Sequence, residues 1–73
     1  MAEQPNELKK LAAIATDLEL SVELRTKALE TIGRIGTHEA LLILLEIAGN
    51  EKLIRQEREL ALKQASGIIK SSH

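Results

Sequence analysis

The chain has 73 residues, ten basic and eleven acidic side chains and a formal net charge of −1, with no Cys, Phe, Tyr or Trp. These values exclude a disulfide framework, a thiolate metal site and an aromatic core, and leave room for one domain over 1–73. The charges alternate without a basic stripe, so neither nucleic acid nor an anionic surface is expected as a partner.

In chain order, the pattern predicts four helices, at about 6–16, 22–35, 38–48 and 53–70. The first places Leu8, Leu11, Ala12 and Ala15 on one stripe, with Asn6 as its N-cap and Glu7 in the first turn. Thr16 and Asp17 close it, and Leu18 and Leu20 follow in a connection. Ser21 caps the second helix, whose stripe is Leu24, Ala28, Ile32 and Ile35, with Leu29 beside it. Gly36 ends that helix, because glycine adopts the left-handed conformation without a Cβ penalty. Thr37 caps the third helix, so only two residues join helices two and three, as in an antiparallel hairpin. Gly49 and Asn50 end the third helix. The fourth starts between Asn50 and Arg55 and turns Leu53, Ala61, Ala65 and Ile68 inward; Gly67 weakens its last turn.

The longest apolar run, Ala40 to Leu45, is far short of the ~20 residues that span a bilayer. The first residues lack the basic and apolar regions of a secretory signal, which makes a cytoplasmic location the expectation.

Sliding the chain by 33 residues superimposes Leu8 on Leu41, Leu11 on Leu44, Ile14 on Ile47 and Ala15 on Ala48. In the same register Leu20 meets Leu53, Arg25 meets Arg58, Ala28 meets Ala61, Leu29 meets Leu62 and Ile35 meets Ile68. The chain therefore reads as about two copies of one αα unit. The missing aromatics argue against a tetratricopeptide unit, and the missing Thr-Pro-Leu-His turn against an ankyrin unit.

Leu24, Arg25, Ala28, Gly33, Ile35, Gly36, Glu39, Ala40 and Leu41 follow the pattern of the HEAT-like repeat family, in the subtype first noticed in phycobilisome lyases. Thr31, Ile32 and the pair Thr37-His38 depart from it, and Ser66 stands where the second copy should carry glycine. Residues 6–16 resemble the second helix of a repeat without its first. The resemblance implies an all-α fold, an αα-superhelix (solenoid) of four helices, and a binding role.

No phosphate-binding loop is present, and His38, the one internal histidine, sits in a turn without nucleophile or metal-ligand company. No catalytic residue, cofactor, metal or small-molecule substrate is expected. Helix three is apolar almost all round, and Leu42, Ile43, Leu60 and Ile69 exceed their counterparts one repeat earlier in apolar character. These four are the candidate protein interface, for a protein partner or a homo-oligomer. Arg25 and Arg58 form a candidate polar ladder, expected to bond a neighbouring repeat's acid or helix-end carbonyls. The function expected is a non-catalytic, self-associating protein-interaction module. The alternative is a non-catalytic subunit that positions a substrate or nucleic acid for a lyase-like or DNA-processing enzyme. Salt separates the two, since phosphate contacts weaken steeply as salt rises.

Overall fold

The computed structural model of the chain describes residues 4–71, which form four helices and no strand. They are α1 (Gln4–Ala15), α2 (Val22–Ile35), α3 (His38–Ala48) and α4 (Arg55–Ser71). The calls on Met1 to Glu3 and on the last two residues lie outside the described residues. Among the described residues no helix is long and apolar enough to cross a membrane.

α1 begins two residues before its expected cap, so Asn6 lies inside the first turn. Pro5 fits there because first-turn N–H groups have no helical acceptor to lose. The α2–α3 hairpin follows the expected turn chemistry. Ser21 accepts a hydrogen bond from the Leu24 N–H, and Thr37 accepts one from the Ala40 N–H. Gly36 adopts φ 68°, in the left-handed region, and its N–H donates to the Ile32 carbonyl. Gly49 ends α3 at φ −93°, without a left-handed turn. α4 runs straight through Gly67 to Ser71, whose hydroxyl donates to the Gly67 carbonyl.

The α1–α2 and α3–α4 connections are copies of each other in the 33-residue register. The Asp17 N–H donates to the Ile14 carbonyl at 3.3 Å, and the Asn50 N–H to the Ile47 carbonyl at 3.0 Å. The Leu20 N–H reaches the Asp17 carbonyl as the Leu53 N–H reaches that of Asn50. Each Asx side chain also accepts from the backbone two residues on, at Glu19 and at Lys52. These are Asx turns, which replace helical bonds with local ones. They fix the start of α4 at Arg55 and leave Leu53 in the connection, where it is buried.

The register breaks at the next step. Ser21 caps α2 with its hydroxyl, whereas Ile54, at the same place before α4, is half exposed and has no side-chain acceptor, and the Glu57 N–H donates to the Ile54 carbonyl at 3.0 Å instead. Ile54→Ser is therefore expected to raise stability by ~0.5–1 kcal/mol. The check is a higher urea midpoint at unchanged slope; a lower midpoint would show that Ile54 contributes more by packing than a cap returns.

The core draws on every helix and on one connection: Leu8 and Ala15 from α1; Ala28, Leu29 and Ile32 from α2; Ala40, Leu44 and Ile47 from α3; Leu53; and Ala61, Ala65 and Ile68 from α4. α1 packs on α2, α3 packs on α4, and α2 and α4 lie side by side, while α1 and α3 barely touch. One correction follows. Leu24 and Ile35 are not inward residues, because the buried face of α2 is rotated onto Arg25, Ala28, Leu29 and Ile32. On the nearly all-apolar α3, Leu42 and Leu45 are exposed, since its neighbouring helices do not cover every side of it.

Gly33 lies where α2 faces α4. A Cβ there would meet the end of the flexible Gln64 side chain, which would have to swing aside. Gly33 holds no positive backbone φ, so no special backbone angle calls for glycine there.

Candidate functional site

Arg25 is the most heavily bonded side chain among the described residues. α2 carries it into the space between the α1–α2 connection and α4. Its Nη1 donates to the Leu20 carbonyl at 2.8 Å and the Asp17 carbonyl at 3.3 Å. Its Nε and Nη2 both engage Oε2 of Glu57, at 3.0 and 2.8 Å. The two side chains are 7% and 1% exposed, so solvent screens this ion pair little. Arg25 thus ties the end of one helix pair to the first turn of the next. The ladder reading expected each arginine to bond a neighbouring repeat's acid or helix-end carbonyls; Arg25 bonds an acid of α4 and two carbonyls of the α1–α2 connection. Its acceptor, Glu57, escaped the sequence reading. The signal was a charge at the place occupied by Leu24 one repeat earlier.

Arg58 occupies the same register position and makes no such contacts. Its Nε is buried and has no hydrogen-bond partner among the described residues. Beside it lies a notch of about 240 Å³ lined by Ala48, Arg55, Arg58, Glu59 and Leu62. Arg55 and Glu59 form an exposed i, i+4 pair across it. The two ladder arginines are therefore one occupied and one open example of the same position.

A larger groove, about 770 Å³, opens where α1 and α3 splay apart. Its α1 wall is Lys9, Ala12, Ala13 and Thr16; its α3 wall is Glu39, Leu42, Ile43, Glu46 and Ile47. Small side chains thus face large ones, with a cation on one rim and two carboxylates on the other. Of the four candidate interface residues, Leu42 and Ile43 line this groove, and Leu60 and Ile69 do not. Leu42 and Ile69 are more than half exposed, at 52% and 55%, whereas Ile43 and Leu60 pack partly against the core.

Among the described residues no group of three His, Asp or Glu side chains is placed to hold a metal ion. His38 is exposed at the first position of α3. Arg55 and Lys63 are exposed on α4, and Glu57 is turned inward away from them. No protein-family model, curated protein or solved structure is significantly similar to the chain.

Proposed function

We propose that the chain is a non-catalytic assembly module, a two-repeat αα-superhelix of HEAT-like type, that binds protein through its helical faces. Its first partner on this reading is a second copy of itself, paired groove to groove about a two-fold axis. The observation that carries the reading is the α1–α3 groove, with Leu42 half exposed at its wall. A two-fold pairing needs a self-complementary patch. This groove is one: the Leu42 and Ile43 side of one copy fits the Ala12 and Ala13 side of the other, and Lys9 faces Glu39 and Glu46. The repeated connection, with the same three hydrogen bonds in each copy, supports the superhelix part of the reading. A net charge of −1 offers little repulsion between copies.

A dilution series followed by amide NMR shifts tests the proposal. Shifts that depend on concentration are expected at Ala12, Ala13, Leu42, Ile43 and Ile47, and are expected to vanish in Leu42→Lys. Lys is what α1 carries at the corresponding place, Lys9, so the change is compatible with the helix. Shifts that stay constant on dilution, or that move only on α4, would refute pairing through the groove.

A further inference from the structure

The second surface is the outer edge of α3 and α4, and it is independent of the groove. Inside the chain, α4 covers the edge of α2 and does not reach α1. Arg25 and Leu29 are buried on α2, and Arg25 holds the Glu57 carboxylate. One register step later Ala48, Arg58 and Leu62 line an open notch; Leu62 is 51% exposed where Leu29 is 0%. The carbonyls of Asn50 and Leu53 stand in the places of those that Arg25 bonds, those of Asp17 and Leu20. Arg58 lacks both the carbonyl bonds and the carboxylate that Arg25 has. The internal contact is therefore a template for what the open edge accepts.

We propose that this edge docks a helical hairpin of another protein, one that sets a carboxylate against Arg58 and a short side chain against Ser66. Charge complementarity argues for the carboxylate. A guanidinium with a desolvated Nε and no acceptor is unfavourable, and an incoming acid relieves that. The short side chain follows from Gly33. Gln64, seven residues after Glu57, lays its side-chain amide over Gly33 where a Cβ would stand, and the open edge carries Ser66 at that place. A close copy of α4 would have to swing that amide aside. A head-to-tail second copy of this chain meets the second requirement, since Thr31 would face Ser66, but fails the first, since Leu24 would face Arg58. A copy of the chain is thus the wrong occupant by one residue, which supplies the test.

The probe is the full chain carrying Leu24→Glu, a change at a half-exposed helical site. Its binding to the immobilised unaltered chain is compared with that of the unaltered chain as probe, so that groove pairing contributes equally to both. The expected result is binding ~10- to 100-fold tighter for the Leu24→Glu probe. That gain is lost when the immobilised chain carries Arg58→Met, and lost again when the probe also carries Thr31→Gln. Circular dichroism establishes that each variant keeps its helix content. Equal binding of the two probes, or a gain that survives Arg58→Met, would overturn the proposal. A gain that survives Thr31→Gln would overturn the short-side-chain requirement. Neither outcome bears on the groove, whose test uses Leu42.

Discussion

Replacing Arg25 with Met lowers the stability of the fold by ~3–5 kcal/mol, because it strands the Glu57 carboxylate in a site 1% exposed to solvent. The Leu20 carbonyl loses its guanidinium donor at the same time. A chain of 73 residues has roughly 4–11 kcal/mol of stability in all, so this variant is expected to sit near the folding threshold. The companion variant, Arg25→Met with Glu57→Leu, removes both charges and recovers most of the loss. An apolar pair of similar volume often equals a buried ion pair, since the cost of desolvating the ions disappears with them. Urea unfolding of both single variants and the double variant, followed by far-UV circular dichroism, gives the coupling between the two residues. A double variant no better than Arg25→Met would mean that Arg25 acts mainly through the two carbonyls.

The second large effect is a contrast. Leu29→Ala is expected to lose ~2–5 kcal/mol, the range for a leucine deleted from a packed core. Leu62→Ala, the same change at the same place one repeat later, is expected to lose less than ~1 kcal/mol, as at exposed sites. Sequence alone makes these residues equivalents. The difference between them arises from what packs on each: α4 lies along α2, where Leu29 is buried, and the described residues leave Leu62 half exposed. Equal losses would show that the outer edge of α4 is already covered.

The helices were legible because their ends are governed by local chemistry. Ser21, Gly36 and Thr37 each act within a few residues of themselves, and all three take the positions expected of them. The 33-residue register also foretold more than helix positions. It paired Leu20 with Leu53 and Arg25 with Arg58, yet the start of the fourth helix stayed open between Asn50 and Arg55 and Leu53 was counted among that helix's inward residues, whereas it lies in the connection before Arg55. What the pattern could not supply was rotation. A stripe of Leu24, Ala28, Ile32 and Ile35 is a valid helical face, yet the buried face lies beside it, because Arg25 turns inward to meet Glu57. Hydrophobic periodicity gives an arginine no inward role, so the error was built into the method. Asn6 failed for a similar reason, since a favourable cap residue inside the first turn does not end a helix that Pro5 can extend. The groove was half legible. Leu42 and Ile43 stood out by comparison with Lys9 and Lys10, but the splay of α1 from α3 that exposes them is a tertiary arrangement that no local pattern encodes. Leu60 and Ile69 were chosen on the same comparison, and they lie on a different helix, outside that groove.

Pairing of two copies through the α1–α3 groove is the central claim, and molar mass against concentration tests it most directly. Sedimentation equilibrium with interference optics suits a chain that has neither Trp nor Tyr. From about 10 µM to about 1 mM, the range of modest affinities, the mass is predicted to rise from the 8.0 kDa of one chain toward twice that value, and to stay at 8.0 kDa in Leu42→Lys. A mass fixed at 8.0 kDa for the unaltered chain over that whole range would contradict the account.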